Sequence, residues 1–404
     1  MRILHIGKYY PPYAGGMENF LRDLLKALKN EGADVAALVH HHLPGPSIRE
    51  EVAGTTIFRA SSLGQVLYTP ISFSFPRVLR QALLSFRPHL LHLHFPNPST
   101  FWSLAFREAR CLPWVIQWQS DVVPSTIDRR LRSAYHCYRP LEQRMLKRAE
   151  KILVASTPYL RHSAPLKQWA SKCAVIPLGV DPERLPEPEE PALRQAEKSW
   201  KPGCLRVLAV GRLTYYKGFD VLIRAVSRIQ GVAVQIVGEG ALMADLQREI
   251  RQRGLETQVL LRGGLSNEAL QGLLATCDAL CLPSLERTEA FGVVLLEAMR
   301  YGKALVASDI PGSGTGWVVG EGECGLLATP GDEKSLAKCL EGLAAEPFQC
   351  QVLGKKGREN FLKKFHIQPV ARQIKRVYED VLDSELESPD FRNSSTSLFS
   401  TATS

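Results

Sequence analysis

The sequence predicts an α/β protein with two doubly wound, Rossmann-like domains and a ligand cleft between them. Three observations support this prediction. The chain has 404 residues, more than one ordinary hydrophobic core accommodates. Short apolar runs alternate with helical patterns, which is typical of parallel strands covered by helices on both faces. This alternation occurs twice, and a stretch rich in proline and glutamate separates the two series.

The first series lies in the N-terminal half. Its strands are predicted in RILHIG, DVAALVH, HLLHLHF, WVIQWQ and KILVAS, and the apolar segment CAVIPLGVD ends the series. The segment GGMENFLRDLLKALKNEG, which follows the first strand, has apolar residues at helical spacing and a glycine at its end. It therefore predicts an amphipathic helix.

The second series begins at LRVLAVGRL. Further strands are predicted in VAVQIVGEG, QVLLRGG, ALCLPS, ALVASD and GLLAT, and helices in FDVLIRAVSRI, ADLQREIRQRG and NEALQGLLATC. Ligands of such sheets bind beyond the carboxyl ends of the strands. We therefore expect the functional residues in the loops that follow strands.

The two series and their flanking segments predict five parts of the chain. We expect domains at 1–185 and 204–360, a linker at 186–203, a helix at 361–384 that crosses back to the first domain, and a disordered tail at 385–404. The linker is expected from its Pro and Glu content. The tail is expected from its low-complexity, serine-rich sequence.

Composition predicts a cytoplasmic protein that is soluble or peripheral on the inner face of the membrane. No apolar run of about 18 residues occurs, and MRILHIG is too short and too strand-like for a secretory signal. The nine cysteines form no C-x-x-C pair, so we expect small buried thiols in a reducing compartment.

Charge is distributed unevenly between the two halves. Residues 1–185 carry 24 Lys+Arg against 13 Asp+Glu, a net +11, whereas the remainder has a net charge of −2. A basic half favours an anionic partner such as a membrane surface, a phosphate-bearing lipid or a nucleic acid. We see no RNA-binding or helix-turn-helix motif, so we expect no nucleic-acid partner.

The densest basic stretch runs from Thr126 to Arg148, and its apolar residues recur at helical spacing. One interpretation is an ordinary core helix with solvated arginines. The other is a helix that docks on an anionic leaflet, with Arg129, Arg130 and Arg132 among its basic residues.

Several loops after strands carry residues suited to phosphates and sugars. Gly15 and Gly16 precede the first helix and permit close approach of the backbone to a ligand, although a plain strand-to-helix turn would use the same residues. The loop matches neither G-x-G-x-x-G nor the P-loop. Arg212 and Lys217 flank a short turn after the first strand of the second domain, where they could hold a diphosphate or be simply solvated.

Further loops of the second domain suggest a pocket for a sugar and a base. Glu239 follows a strand and could contact a sugar or base, or cap the next helix. Arg262 and Gly263 follow the next strand and are suited to lining a base pocket.

The segment EAFGVVLLEAMRYGKALVASD places one glutamate before a helix and one inside it. Gly292 is predicted to be the entry turn of that helix, with Glu289 in the preceding loop and Glu297 within the helix. The free backbone N–H groups at the start of the helix would favour an anion.

The first domain offers His94, which lies near the end of a predicted strand where its side chain can reach a ligand. No D-x-D sequence occurs anywhere in the chain. We therefore expect chemistry without a metal or other cofactor, with the protein's own cations stabilising the charge of the leaving group.

Together these segments resemble the retaining glycosyltransferases of family four, which have the GT-B fold. The resemblance rests on the E-x7-E spacing of Glu289 and Glu297, and on VIPLGVD, GRLTYYKGFDVLI, LCLPSLERTEAFGVVLLEAMRYGKALVAS and GLLATPGD in matching order. It covers about residues 1–380 and is strongest over 204–330. It implies a hexosyltransferase of surface polysaccharide or lipopolysaccharide assembly that uses GDP-mannose or a UDP-hexose and a saccharide or lipid-linked acceptor.

The resemblance also implies roles for particular residues. Glu289 would bind hydroxyls of the donor sugar, Glu297 the ribose, and Arg212 with Lys217 the diphosphate. Gly15 and Gly16 would lie near the phosphate and the acceptor. Backbone atoms of the helix start would touch phosphate or sugar; these belong to Phe291, Gly292, Val293 and Val294.

One position departs from the family pattern. Many relatives have a histidine in the segment that reads WVIQWQSDVV here, and Gln119 occupies the matching position. Glutamine can hydrogen-bond a sugar hydroxyl but cannot accept a proton at neutral pH. Asp121 is close by and could compensate, or could be only structural. The alternatives to glycosyl transfer are a GT-B epimerase that acts on a nucleotide sugar and a non-catalytic binding protein.

Overall fold

The computed structural model describes residues 1–13, 15–66, 69–122, 129–321 and 323–387. The chain divides into two compact units. Unit 1 contains the described residues of Met1–Val154, Ser163–Ile176 and Gln368–Ser404, and unit 2 contains Ala155–His162 and Pro177–Ile367.

Unit 1 is built on an eight-stranded sheet with the order β10-β9-β8-β7-β1-β2-β4-β3. All neighbours are parallel except the hairpin of β3 and β4. The strands of this unit, including the small hairpin β5–β6, are β1 (Arg2–Ile6), β2 (Asp34–His40), β3 (Ile48–Val52), β4 (Thr55–Ala60), β5 (Gln65–Val66), β6 (Thr69–Pro70), β7 (Leu90–Phe95), β8 (Trp114–Trp118), β9 (Lys151–Val154) and β10 (Cys173–Val175).

The central strands of unit 1 are buried along their whole length because helices cover both faces of a parallel sheet. The helices of the unit are α1 (Gly16–Asn30), α2 (Phe75–Phe86), α3 (Arg107–Arg110), α4 (Arg129–Arg148) and α14 (Ile367–Glu387), with 3₁₀ turns at Pro98–Leu104 and Lys167–Lys172. The basic stretch predicted to be helical therefore contains α4, and its first residues, 126–128, lie outside the described part of the chain. The side chains of Arg129, Arg130 and Arg132 lie outside the described part of the chain.

Unit 2 has a six-stranded, fully parallel sheet with the order β13-β12-β11-β14-β15-β16. This is the doubly wound order, in which the direction of winding reverses between β11 and β14. The strands are β11 (Leu205–Val210), β12 (Val232–Val237), β13 (Val259–Gly263), β14 (Ala279–Leu282), β15 (Ala304–Ser308) and β16 (Gly325–Ala328).

The helices of unit 2 bury apolar residues against this sheet, including Phe219, Leu222 and Leu340. They are α5 (Thr157–His162), α6 (Glu190–Lys198), α7 (Phe219–Val226), α8 (Met243–Gln252), α9 (Asn267–Thr276), α10 (Val293–Arg300), α11 (Thr315–Glu321), α12 (Glu333–Ala345) and α13 (Pro347–Asn360), with 3₁₀ turns at Pro182–Arg184 and Tyr215–Lys217 and a π-helical turn at Phe361–Phe365.

Two segments differ from their sequence-based description. Residues 186–203, expected to be a linker, contain α6, whose Ala192 and Ala196 are buried. A proline in the first turn suits a helix start, so the Pro-rich composition does not exclude a helix here. The C-terminal helix, expected at 361–384, spans Ile367–Glu387, and residues 388–404 of the expected tail lie outside the described part. Among the helices of the described residues, none is long and apolar enough to cross a membrane.

Candidate functional site

The loops that follow β11 and β14 meet at the carboxyl edge of the unit 2 sheet. Gly218 has φ 65°, and a Cβ at this position would lie 2.1 Å from the Pro283 carbonyl oxygen. The backbone N–H of Leu285 donates to the Tyr216 carbonyl at 2.8 Å. Because the winding of the sheet reverses here, this is the place where a ligand is expected to bind.

The loops after β12 and β13 extend the same edge. A Cβ on Gly238 would lie 1.9 Å from the Gly211 carbonyl oxygen, so only glycine permits this approach. The Gly238 N–H donates to the carbonyl of Gly263 at 2.9 Å. Glycines thus bring three strand ends together and leave backbone groups close to any bound molecule.

Lys217 and Glu289 form an ion pair within these loops. Lys217 Nζ lies 2.5 Å from Glu289 Oε2, and each side chain is 12% exposed. The Ser284 hydroxyl donates to the same carboxylate oxygen at 3.2 Å. Burial alone would lower the pKa of Lys217, but the charge of Glu289, the interaction with Tyr216 and the hydrogen bond to Glu289 together outweigh it and raise the pKa above its ordinary value. Lys217 is therefore a fixed cation at neutral pH.

Other predicted residues of unit 2 lie at the same edge with exposed side chains. Arg212 follows Gly211 and is exposed, and its positive charge acts on Lys217. Glu239 is exposed, and its Oε1 would lie 2.7 Å from a Cβ on Gly264. Arg262 is exposed near the end of β13. Because they are exposed, these three side chains are accessible to a ligand.

Helix α10 begins as the sequence predicts. Gly292 has φ 80° at its N-cap, and no side chain caps this end. The backbone N–H groups of Val293 and Val294 lie at the start of the helix, where an anion is favoured. Phe291 is buried and packs with Trp317 and Phe365, which fixes the loop that leads into the helix.

Glu297 is paired with a residue that sequence analysis missed. Arg184 Nη2 lies 3.0 Å from Glu297 Oε1, and the two side chains are 15% and 13% exposed. Gln271 donates to the Arg184 carbonyl at 3.2 Å. The Arg184 charge therefore lies next to the carboxylate predicted to bind ribose. Ser284 was missed as well, because nothing in its local sequence marks it.

Unit 1 contains a small pocket at the carboxyl ends of its central strands. The strands β1, β7 and β8 and the first turn of α1 surround it. Its lining residues are Gly7, Lys8, Tyr9, Met17, Glu18, Leu21, His94, Pro96 and Gln119. Sequence analysis had identified two of these, His94 and Gln119.

His94 and Gln119 lie side by side in this pocket. The Gln119 amide Nε2 is 3.4 Å from His94 Nδ1, and both residues are buried. Burial lowers the pKa of His94 to about 3, so its imidazole is neutral at physiological pH. The pair can donate and accept hydrogen bonds, but it offers no base of ordinary strength.

Gly15 and Gly16 lead into α1 next to the same pocket. Gly16 is the first residue of the helix, and a Cβ on Gly15 would lie 2.1 Å from Glu18 Oε2. Glu18 is buried, so its carboxylate covers Gly15. Sequence analysis missed Glu18 because an acidic residue in the first turn of a helix is commonplace.

Asp121 has structural partners. Its Oδ1 accepts hydrogen bonds from Trp118 Nε1 at 2.9 Å and from the Ser163 hydroxyl at 2.6 Å. These bonds tie the end of β8 to the segment that starts at residue 163. They engage one of the two carboxylate oxygens of Asp121.

Comparison with known proteins gives matches along both units. Residues 15–179 match the family described as glycosyl transferase 4-like domain, and residues 194–360 match glycosyl transferases group 1. O-antigen chain mannosyltransferase C of Escherichia coli is 29% identical over 389 residues, which is 95% of this chain and all of that protein. D-rhamnosyltransferase WbpZ of Pseudomonas aeruginosa is 31% identical over 369 residues, covering 90% of this chain and 92% of WbpZ.

Solved structures share the fold at lower sequence identity. Sucrose-phosphate synthase from Thermosynechococcus elongatus superposes with a TM-score of 0.77 at 22% identity, covering 95% of this chain and 99% of that one. The doubly wound two-unit fold predicted from the sequence is confirmed by this likeness.

Proposed function

We propose a specific reaction for this chain, which belongs to glycosyltransferase family four, the group 1 glycosyltransferases with the GT-B fold. The chain is a nucleotide-sugar hexosyltransferase of polysaccharide biosynthesis. The proposed reaction moves a hexose of manno configuration from GDP-mannose or a related donor to a saccharide or lipid-linked saccharide. The anomeric configuration is retained.

The ion pair of Lys217 and Glu289 at the glycine-rich edge of unit 2 is the observation that carries this proposal. Glu289 holds Lys217 protonated and in place before the donor arrives. Lys217 and the exposed Arg212 then bind the diphosphate, one as a point charge and the other as a planar fork. Cations fixed in advance stabilise the negative charge that grows on the phosphate as the glycosidic bond breaks.

The two glutamates bind the uncharged parts of the donor. Glu289 accepts hydrogen bonds from hydroxyls of the sugar, and Glu297 accepts them from the ribose. Arg184 Nη2 contacts Oε1 of Glu297, and the other carboxylate oxygen, Oε2, accepts from a ribose hydroxyl in this scheme. The backbone N–H groups of Val293 and Val294 contact the phosphate at the start of α10.

Further parts of the edge complete the donor pocket. Glu239, Arg262 and Gly263 surround the base and sugar from the loops after β12 and β13. In unit 1, Gly15 and Gly16 offer backbone groups to the phosphate and the acceptor at the start of α1.

Retention in this scheme requires no protein nucleophile. The bond between C1 and the phosphate oxygen breaks while the acceptor oxygen bonds to C1 on the same face. The acceptor proton passes to the departing phosphate oxygen. The diphosphate is thus both leaving group and base, with Lys217 and Arg212 in the place that a divalent cation takes in other transferases.

The pocket in unit 1 suits the acceptor in this mechanism. Because the phosphate accepts the proton, the acceptor hydroxyl needs orientation rather than a general base. Gln119 offers a neutral amide for that purpose, and the neutral imidazole of His94 lies against this amide. Asp121 takes no direct part, since it ties β8 to the neighbouring segment.

The manno configuration is suggested by the relatives. One is named a mannosyltransferase and another a D-rhamnosyltransferase, and D-rhamnose is the 6-deoxy form of D-mannose. Both sugars have an axial hydroxyl at C2. A donor pocket shared with these relatives would select that configuration over the gluco configuration of common UDP-hexoses.

A donor screen by mass spectrometry tests the proposal. GDP-mannose, GDP-rhamnose and UDP-glucose are each incubated with saccharide and lipid-linked acceptors, and with no acceptor. We expect product from a manno donor only when an acceptor is present. Transfer from UDP-glucose alone would contradict the donor assignment. A changed nucleotide sugar without acceptor would instead indicate an epimerase.

Unit 1 also has exposed apolar side chains that suit peripheral contact with an anionic membrane. Leu63 and Phe73 are 73% and 83% exposed in the loops around β5 and β6. The exposed Arg77 and Arg80 follow on α2. Apolar insertion combined with basic residues is a common way for a protein to bind an anionic leaflet, where lipid-linked acceptors reside.

A further inference from the structure

Three histidines form a buried cluster on one face of the unit 1 sheet. His5 of β1 is the register partner of His92 of β7, and His94 follows two residues later, so the three side chains leave the same face. His5 and His92 are fully buried, and His94 nearly so. One ring nitrogen from each lies within 4.8 Å of the other two. An H-x-H pair beside a third histidine on the next strand is a compact way to present three imidazoles together.

The hydrogen bonding of the cluster is incomplete among the described residues. His5 Nε2 and His92 Nε2 are buried and have no hydrogen-bond partner there. Buried polar atoms in native proteins are nearly always paired. The unpaired His92 Nε2 therefore points to a ligand at the cluster that supplies the missing contact.

The spacing and the outer contacts of the cluster match those of metal-binding histidines. His5 Nδ1 and His94 Nε2 are 3.2 Å apart, a hydrogen-bonding distance that is also close to the separation of about 3.3 Å between two nitrogens bound to one tetrahedral Zn²⁺ at about 2.0–2.1 Å. His92 Nδ1 pairs with the Tyr378 hydroxyl, and His94 Nδ1 lies against the Gln119 amide. Histidine ligands usually have their second nitrogen held in this way.

We propose that His5, His92 and His94 together bind one divalent transition-metal ion, for which Zn²⁺ is the best match. Three imidazoles are a common zinc ligand set and leave a fourth position open. The ion fastens the sheet of unit 1 to α14 through His92 and Tyr378. It also holds His94 against Gln119 at the wall of the pocket. The site is built from unit 1 alone and is independent of the residues proposed to bind the donor phosphates.

Metal analysis of the full chain tests this proposal directly. The untagged protein is purified from zinc-supplemented cells and measured by inductively coupled plasma mass spectrometry. The chelator-stripped protein is then titrated with Co²⁺. We expect one metal ion per chain and the visible absorption of tetrahedral Co²⁺. A thiolate-to-cobalt charge-transfer band would assign the metal to the cysteines instead, and the absence of stoichiometric metal would overturn the proposal.

Two variants and a control locate the ion. His5→Phe and His92→Phe keep much of the volume of the ring but remove one ligand each. We expect both to lose the metal equivalent and the rise in Tm that Zn²⁺ gives the stripped wild type. His136→Asn changes an exposed histidine of α4 and should keep both. Retention of the metal in both cluster variants would overturn the assignment. If neither variant folds, the Co²⁺ spectrum of the wild type tests the assignment: tetrahedral absorption without a thiolate band supports the histidine site, and any other spectrum contradicts it.

Discussion

The candidate sites of the two units are built from different kinds of side chain. In unit 2, charged residues of the candidate site are already paired, Lys217 with Glu289 and Arg184 with Glu297. In unit 1, the two adjacent polar groups that the sequence predicted in the pocket are neutral, the His94 imidazole and the Gln119 amide, although Lys8 and Glu18 also line it. The two units share a doubly wound sheet, so the difference comes from the loops rather than from the fold.

This difference matches the chemistry proposed for each unit. A nucleotide diphosphate carries charge that increases during the reaction, so fixed charges in unit 2 are useful throughout. An acceptor hydroxyl carries no charge and gives its proton to the phosphate, so neutral hydrogen-bonding groups in unit 1 are sufficient. Removing a charge from unit 2 should therefore cost more than removing a polar group from unit 1.

The largest effect is expected from the cations of unit 2. Lys217→Met and Arg212→Ala should each reduce kcat by about 10²–10³-fold, because one stabilising contact to the developing charge is lost. Steady-state transfer assays measure kcat, and circular dichroism checks the fold. Arg228→Ala removes an ion pair with Glu333 away from the strand ends and should leave turnover unchanged. Turnover near that of the wild type in both cation variants would contradict the proposal that Lys217 and Arg212 bind the diphosphate.

The next effect separates the two glutamates. Glu289→Gln should lower kcat most, because hydrogen bonds to the sugar change as the glycosidic bond breaks. Glu297→Gln should mainly raise the donor KM, since ribose binding changes little on the way to the transition state. Glu249→Gln, on α8, serves as the control. The reverse pattern would show that the two roles are exchanged.

A smaller effect is expected in unit 1. Gln119→Ala should raise the acceptor KM by about tenfold, as expected for loss of one hydrogen bond to a bound hydroxyl. Nucleotide affinity, measured by calorimetry, should not change. Gln117→Met alters a buried glutamine on the same face of β8 that does not line the pocket, and is the matched control. A loss of kcat as large as that expected for Lys217→Met would mean that Gln119 acts in proton transfer.

The smallest effect concerns membrane contact. Leu63→Ser combined with Phe73→Ser should weaken sedimentation with anionic phospholipid vesicles while sparing transfer to a soluble acceptor. Phe348→Ser changes an exposed phenylalanine of unit 2 and should leave sedimentation with the vesicles unchanged. Salt should weaken the binding because basic residues contribute to it. Equal binding to neutral and anionic vesicles, or no binding to either, would contradict the proposed contact of these side chains with an anionic membrane.

Much of the fold was predictable because strand and helix patterns are local. Gly292 marked the start of α10, and the apolar runs marked the strands of both sheets. Composition predicts a linker at 186–203, but this segment contains α6, because a proline in the first turn of a helix is compatible with the helix. The β3–β4 hairpin was not predicted; its β3 is the edge strand of the sheet and is partly exposed.

The site was predictable where one loop carries several of its features, and not where partners come from distant segments. Arg184 meets Glu297 across 113 positions, and Tyr378 meets His92 across 286. No local pattern distinguishes these residues from ordinary surface or core positions. The histidines of β1 and β7 became a cluster only when the strand register placed them side by side.

The anomeric configuration of the product tests the central claim most directly. The wild type is given GDP-mannose and an acceptor in EDTA, and the one-bond C1–H1 coupling of the isolated product is measured by NMR. If fixed cations stabilise the leaving diphosphate and the phosphate takes the proton on the same face, the product is the α-mannoside formed without added metal. A β-mannoside, or an α-mannoside formed only when Mg²⁺ or Mn²⁺ is restored, would contradict the account.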